Sequence, residues 1–201
     1  MPVYLKKSEE KLEEINLTLS TERLELRPIS TGDVEMVWPH VADPRISRLM
    51  SWRAHTDKAE TTAFLASLEQ NRQAGRGITW AIFSDGHFCG IISLINIQRH
   101  HRALTYDCAE LAYWLALDSR GQRIMSEAGR RVIAFAFAEL SLHRLEVGHF
   151  SDNAESERII KQWRFRYIGE KRHAFMKDGV WHDAKFYDLL QSDLSTPARS
   201  A

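Results

Sequence analysis

Apolar and polar residues alternate along the chain in runs that predict short strands separated by helices. Residues 21–28, T-E-R-L-E-L-R-P, alternate leucine with charged residues up to a proline, which is typical of a half-buried strand. Apolar positions spaced by three or four residues predict helices over 33–41 and 58–73. Glycines follow the second helix, and the pattern becomes strand-like there.

Two Asp-Gly pairs, at residues 85–86 and 178–179, stand between runs rich in strand-forming residues. Asp-Gly between such runs predicts a tight hairpin turn, because both turn residues must adopt positive φ. The first hairpin joins W-A-I-F to F-C-G-I-I-S-L-I-N-I, and we expect a polar loop after it at His100, His101 and Arg102. The second forms the end of the ordered chain.

The middle of the chain combines a strand, a short loop and a long helix. Residues 109–117, A-E-L-A-Y-W-L-A-L, are almost continuously apolar and predict a strand buried on both faces. The loop D-S-R-G-Q-R leads into a helix over 124–140, and a strand at 144–150 and a helix at 153–163 follow. This alternation predicts an α/β architecture.

Length and composition fit one folded domain. The 201 residues, 44% of them hydrophobic, are enough for a sizeable core, which we assign to residues 21–190. A Lys/Glu-rich extension, residues 1–20, precedes it, and a polar tail, residues 191–201, is predicted to be disordered. Cys89 and Cys108 form no disulfide framework or C-x-x-C motif, which favours a reducing compartment.

The charge balance narrows the classes of partner. The chain has 27 basic residues, Lys and Arg, and 27 acidic residues, Asp and Glu. Proteins that bind nucleic acids or anionic membranes usually carry an excess of basic residues. We therefore expect neither partner. No apolar run approaches the roughly 20 residues of a membrane span, and the amino terminus resembles no secretion signal, so we expect a cytoplasmic protein, monomeric or homodimeric.

The loop before the helix at 124 has the features of an anion site. A helix N-terminus presents unpaired N–H groups and the positive end of the helix dipole, and Gly121 lets a ligand approach the backbone closely. Residues 119–131 carry a local excess of positive charge, because they contain one acidic residue, Glu127, and four arginines: Arg120, Arg123, Arg130 and Arg131. The motif matches neither the nucleotide P-loop nor G-x-G-x-x-G, so Gly121 as an ordinary turn residue is the alternative.

Four separate segments, in order and spacing, resemble the GNAT N-acetyltransferases, and most closely their RimJ/RimL-like ribosomal-protein branch. They are T-E-R-L-E-L-R-P, A-E-L-A-Y-W-L with R-G-Q-R-I-M-S-E-A, L-H-R-L-E-V, and D-N-A-E-S-E-R-I-I-K-Q-W-R-F. The resemblance covers residues 21–190. It implies a mixed sheet of about seven strands, flanked by helices and splayed open near a bulge in the fourth strand, with acetyl-CoA bound in the opening.

The resemblance also implies a set of cofactor contacts. The pantetheine arm would lie against Leu115, Ala116 and Leu117, and Asn153 would lie near the thioester. The pyrophosphate would accept hydrogen bonds from the backbone of Arg120, Gly121, Gln122, Arg123 and Ile124. Asp118, Arg123 and Arg164 depart from the family pattern, which has Gln or Arg, Gly or Ala, and Gly at these positions.

Transfer of acetyl to an amine requires a base for the amine and an acid for the departing thiolate. An α-amine, with a pKa near 8, needs only about 1 kcal/mol to lose its proton at pH 7, and a lysine about 4 to 5. Glu110 is the first candidate base, because A-E-L-A-Y-W-L resembles acetyltransferases that use a strand carboxylate there, and an exposed acid at the end of a strand is the alternative interpretation. Glu146 and His149 are the other candidate bases. Ile160 occupies the position where many relatives carry the tyrosine acid, so Ser156, in N-x-x-S, is the candidate acid or a helix cap.

The resemblance implies that acceptor binding falls to the segment after the first helix, where relatives carry an aromatic, proline-rich stretch, and to the last hairpin. The candidates there are Trp52, His55 and Trp181. We expect no metal, because His100, His101 and Cys108 match no ligand spacing. The resemblance implies acetyl-CoA-dependent acetylation of a primary amine, a protein or peptide N-terminus above all, by direct attack. A small amine acceptor, such as a polyamine, an antibiotic or an aminoacyl compound, and a non-catalytic acyl-CoA-binding module are the alternatives.

Overall fold

A computed structural model describes residues 15–195 as one mixed sheet with helices on both faces. The strands are β1 Leu19–Ser20, β2 Leu24–Pro28, β3 Ile78–Ser84, β4 His87–His101, β5 Leu104–Leu115, β6 Arg144–Phe150, β7 Arg166–Lys177 and β8 Val180–Leu190. The helices are α1 Val34–Val41, α2 Pro44–Ser47, α3 Lys58–Gln73, α4 Ile124–Ala138, α5 Ala154–Gln162 and α6 Gln191–Ser195. No helix among residues 15–195 is long and apolar enough to cross a membrane.

The sheet has the order β1-β2-β3-β4-β5-β6-β8-β7, and all neighbours are antiparallel except β5 and β6. These two strands are parallel and paired only over Cys108–Glu110 and Arg144–Glu146. Beyond Glu110 they separate, so the sheet is splayed in its middle. The mixed, splayed architecture is confirmed, and the short edge strand β1 brings the strands of the described region to eight.

The helices pack in two layers, one on each face of the sheet. Helices α4 and α5 cover one face, where Trp80 and Phe135 meet edge to face with ring centroids 5.6 Å apart. Helices α1 and α3 cover the other, where Val37 and Leu65 pack against Trp114. Because successive strand residues point to opposite faces, each residue of β5 and β6 can be assigned to one layer.

Both Asp-Gly turns form as predicted. Asp85 and Gly86 have φ of 49° and 77°, and Asp178 and Gly179 have φ of 50° and 81°. The polar loop expected at His100, His101 and Arg102 was wrong for the two histidines, whereas Arg102, with φ of 57°, lies in the turn before β5. β4 continues through His101 and pairs with the start of β5, and this ribbon is mostly exposed, so its polar side chains stay in water while its backbone is paired.

The two ends of the described region also carry structure. Ile15 and Leu17 pack against the main core, and the Leu17 carbonyl accepts a 2.6 Å hydrogen bond from the Trp80 indole. Gln191–Ser195 form α6, in the segment whose composition predicts disorder. The remainder of the extension, residues 1–14, and of the tail, residues 196–201, lies outside the described residues.

Candidate functional site

The gap between β5 and β6 is a cleft of about 400 Å³ that is lined by residues from both faces of the sheet. Tyr113 and Leu115 of β5 line it on the α4/α5 face, together with the N-terminal ends of those two helices. Glu110 and Trp114 line it on the α1/α3 face. The wall on this second face comes from the segment after α2 and from the last hairpin: Leu49, Met50, Ser51, Phe175 and Phe186. The cleft therefore brings side chains of the two faces together.

Helix α4 points its N-terminus at the cleft. Its first hydrogen bond runs from the Glu127 N–H to the Arg123 carbonyl, so the preceding N–H groups have no partner within the helix. Gly121, at the rim, and Arg123, directly before the helix, have φ of 75° and 62°. The Arg123 side chain is exposed, so it leaves the N–H groups open to a ligand.

The left-handed conformation explains why the family pattern has a small residue at two positions where this chain has arginine. Arg123 before α4 and Arg164 after α5 both have positive φ, 62° and 69°, the conformation in which glycine is least strained. Asp118 contributes to the loop itself. Its carbonyl accepts a 2.8 Å hydrogen bond from the Gln122 side chain, and its carboxylate accepts one from the Ser119 hydroxyl.

The acidic residue in the first turn of α4 is neutralised from the edge of the sheet. Nη2 and Nε of Arg23 donate hydrogen bonds to the Glu127 carboxylate, at 2.7 and 2.9 Å, respectively. The Thr21 hydroxyl donates a third hydrogen bond to the same carboxylate. Burial raises the pKa of Glu127, but the hydrogen bonds from Thr21 and Arg23 outweigh it and the net shift is downward. The helix N-terminus therefore keeps its attraction for an anion.

Glu110 stands where the paired part of β5 and β6 ends and the cleft begins. Its carboxylate accepts a 3.2 Å hydrogen bond from the Asn96 amide. Asn96 lies at an irregularity of β4, with φ of 53°, and this turns its side chain toward Glu110. Burial raises the pKa of Glu110 and the charge of Glu146 adds to the rise, while the Asn96 hydrogen bond opposes it.

A second cavity, of about 420 Å³, meets the cleft at Ile95 and Glu110. Asn96, Thr79 and Glu146 also line it. Glu146 lies beside Glu110 in the sheet but faces this cavity and not the cleft, and it forms a 2.8 Å ion pair with Arg144. The geometry thus favours Glu110 over Glu146 as the group that contacts a molecule in the cleft.

His149 reaches the cleft from the opposite face of the sheet. Its Nδ1 donates a 2.7 Å hydrogen bond to the Phe150 carbonyl, and its Nε2 faces the Tyr187 hydroxyl at 3.4 Å. The two rings are stacked. Burial lowers the pKa of His149, so the imidazole is neutral and both of its nitrogens have partners. This arrangement favours a packing role over that of a base.

Ser156 lies at the start of α5 and pairs with a residue that the sequence pattern did not single out. Its hydroxyl is 2.7 Å from the Tyr113 hydroxyl, and its N–H donates to the Asn153 side chain at 3.1 Å. Asn153 is therefore the N-cap of α5, while Ser156 keeps its hydroxyl at the cleft. Successive side chains of a strand point to opposite faces, so the position of Tyr113 two residues after the buried Leu111 could have placed it on this face.

Only part of the implied cofactor contacts line the cleft. Leu115, Arg120, Gly121 and Asn153 do so. The Ala116 N–H is bonded to the Cys89 carbonyl at 2.8 Å, and Leu117 packs in the α1/α3 layer. Gln122, Arg123 and Ile124 lie beyond the rim, where their backbone N–H groups lead into α4.

The candidate acceptor residues are not brought together in the cleft. Trp52 packs 6.3 Å from Trp114 and 5.9 Å from His55 between ring centroids, and His55 is hydrogen-bonded to Thr61. Trp181 is half exposed on the last hairpin. The residues just before Trp52 line the cleft instead. No group of three potential metal ligands occurs among residues 15–195.

Comparisons with known proteins agree with this geometry. The family described as acetyltransferase (GNAT) domain matches residues 23–166. The chain is 32% identical over 117 residues to the "Putative ribosomal N-acetyltransferase YdaF" of Bacillus subtilis (strain 168), a match that covers 58% of this chain and 61% of that protein.

Two solved structures share the fold. A RimL structure described as a ribosomal L7/L12 α-N-protein acetyltransferase in complex with coenzyme A has a TM-score of 0.80 at 21% identity, covering 86% of this chain and 97% of that one. Spermidine N-acetyltransferase from Vibrio cholerae, in complex with CoA and spermine, has a TM-score of 0.76 at 17% identity, covering 88% and 100%.

Proposed function

Because the chain belongs to the GNAT family of acetyltransferases, we propose that it transfers acetyl from acetyl-CoA to the α-amine of a protein or peptide N-terminus. The cleft between β5 and β6 is the observation that carries this proposal. It joins a helix N-terminus suited to a phosphate, on one face, to a half-buried carboxylate with a raised pKa, Glu110, on the other.

The residues of the α4/α5 face fit acetyl-CoA. Open N–H groups at the start of α4 and the Arg120 side chain suit its pyrophosphate. β5 pairs with β4 along one edge, and its other edge is free of β6 beyond Glu110. Backbone groups of residues 111–115 on that edge are thus available to the amides of the pantetheine arm.

Arg120 gives a test of the cofactor site. Arg120→Gln should weaken acetyl-CoA binding about 10-fold, because a charge-assisted hydrogen bond to phosphate is worth about 1.4 kcal/mol or more. Arg131→Gln, which removes a charge from α4 away from the cleft, is the matched control and should bind normally. Calorimetry measures both. Equal affinities in the two variants would show that the pyrophosphate does not bind at Arg120. If the unmodified protein does not bind acetyl-CoA, the proposed function is wrong.

In the proposed reaction, Glu110 accepts the amine proton. When bound, acetyl-CoA supplies an activated acetyl thioester for the amine to attack directly. Glu110 lies at the junction of the two faces, and its raised pKa brings it nearer to that of the acceptor. Since an α-amine needs only about 1 kcal/mol to be neutral at pH 7, a carboxylate base is sufficient for it.

In the proposed reaction, the Ser156 hydroxyl donates a proton to the departing thiolate of CoA. Burial raises the pKa of Tyr113, so its phenol stays protonated and can donate to the Ser156 oxygen. The Ser156 hydrogen is then free to point into the cleft. The Asn153 cap holds the backbone of Ser156 in place, and this orients the hydroxyl without using it.

Ser156→Ala tests this role without disturbing the helix cap, because Asn153 bonds the backbone of residue 156 and not its side chain. We expect kcat to fall about 100-fold or more, within the range of general acid catalysis, while the Kd of acetyl-CoA changes little. Tyr113→Phe should have a smaller effect, since the serine hydroxyl remains. Steady-state kinetics and calorimetry decide it: weaker acetyl-CoA binding at unchanged kcat would make Ser156 a cofactor contact only.

The acceptor side favours a peptide over a small cation. Phe150, Phe175 and Phe186 give the cleft an apolar wall on this face, which suits the side chains that follow an N-terminus. One observation favours the alternative acceptor: the second cavity places Glu110 and Glu146 together, which would suit a small polycationic amine.

A panel of amines separates these functions. Release of the CoA thiol is measured with a peptide that has a free N-terminus, with its N-terminally blocked counterpart, and with spermidine. We expect turnover of the free peptide alone. Turnover of spermidine but of neither peptide would favour the small-amine function, and acetyl-CoA binding without any turnover would favour a binding module.

A further inference from the structure

The ammonium group of Lys177, the last residue of β7, is bonded to three backbone carbonyls of one distant segment. Its Nζ lies between 2.5 and 2.9 Å from the carbonyl oxygens of Ser47, Met50 and Trp52. An ammonium has three N–H donors and no acceptor, so these bonds use its full capacity. We call residues 47–52 the wall segment, because its middle residues line the cleft.

The wall segment depends on this cation for its shape. Its three carbonyl oxygens converge on one point. Without Lys177 the Ser47 oxygen would keep only the Met50 N–H as a donor, and the oxygens of Met50 and Trp52 would lose their charged donor, which is unfavourable. Arg53 and Asp178 add an ion pair of 3.1 Å beside it, but both are mainly exposed, so that pair contributes little. Lys177 is thus the main polar link between the last hairpin and the wall segment.

The link also joins the two parts of the apolar wall. Leu49, Met50 and Ser51 of the wall segment and Phe175 of β7 line the same face of the cleft as Glu110. Phe175 is two residues from Lys177 on the same strand. Resting on the proposed function, we propose that Lys177 is a positioning residue that holds the acceptor wall in register and so sets acceptor affinity, without a part in acetyl-CoA binding.

Three variants test this role. Lys177→Met keeps a long side chain and removes the donors, whereas Lys177→Arg keeps the charge and donors in another geometry. Arg172→Met removes an exposed cation from the same strand and is the control. For Lys177→Met we expect the KM of the acceptor peptide to rise about 10-fold or more, with acetyl-CoA Kd within about 2-fold of normal. Lys177→Arg should restore part of the loss.

Limited trypsin digestion gives a readout that does not depend on activity. Arg48 and Arg53 are exposed at the wall segment, so cleavage after them should be faster in Lys177→Met and unchanged in Arg172→Met. Unchanged cleavage and KM, or equal losses of acceptor and acetyl-CoA affinity, would overturn the proposal. If the unmodified protein acetylates no peptide, the proposed function fails, and the cleavage rates still show whether Lys177 holds the segment.

Discussion

Glu110→Gln is expected to lower kcat/KM for the acceptor about 100-fold or more, the range of a lost general base. The raised pKa of Glu110 puts the acidic limb of the normal pH profile above the usual carboxyl range, because the base must be ionised. Glutamine cannot ionise, so that limb should disappear. Activity should then follow the fraction of neutral acceptor and keep rising toward its pKa of about 8, which moves the optimum upward.

Glu146→Gln is the matched control for this experiment. Glu146 is the next carboxylate in the sheet, but it faces the second cavity and is paired with Arg144. Its loss removes a charge that raises the pKa of Glu110, so the acidic limb should move slightly downward with kcat little changed. A profile that Glu110→Gln leaves unaltered, together with a large loss in Glu146→Gln, would assign the base to Glu146.

Gly129→Ala is expected to destabilise the fold by about 3 kcal/mol or more, the upper part of the range for overpacking a core. A Cβ at Gly129 would lie 2.0 Å from Cζ2 of Trp163 and 2.2 Å from Cε2. Trp163 cannot move away freely, since it is buried, donates to the Ser126 carbonyl at 3.1 Å and meets Tyr113 edge to face. Alanine is the better helix former by only about 1 kcal/mol, so the clash dominates.

Chemical denaturation measures this loss, and Gly121→Ala is the control. At Gly121 an added Cβ meets nothing within 4 Å, and only the positive φ of 75° opposes it, so we expect a loss of about 1 kcal/mol. Since Trp163 supports Tyr113, the Gly129 variant should also lose turnover at temperatures where it remains folded. A loss below about 1 kcal/mol would mean that Trp163 repacks without cost.

The parts of the fold that follow from local pattern were predictable. The Asp-Gly turns and the helix Lys58–Gln73 depend on residues near one another in sequence, and both were predicted at their observed positions. The long ribbon of β4 and β5 was missed at its tip, because polar residues such as His100 are compatible with a loop and with an exposed strand alike.

The site was predictable as a segment and less so as a set of contacts. Glu110 and Ser156 line the cleft as expected, since strand and helix positions carry their direction. The hydroxyl contact of Tyr113 joins residues 43 positions apart, and the bonds of Lys177 go to backbone carbonyls, which leave no mark in a sequence. Trp52 was a candidate site residue that packs against the core instead, because an aromatic residue beside a site can equally belong to the core.

Acetylation of an N-terminal α-amine is tested best on a peptide that has both a free N-terminus and an internal lysine. After incubation with acetyl-CoA and the enzyme, fragmentation mass spectrometry locates the modification. We predict one acetyl group, on the α-amine, and about 100-fold less of this product in the Glu110→Gln variant at the same time and pH. Acetylation of the lysine alone, or a peptide left unmodified while spermidine is acetylated, would contradict it.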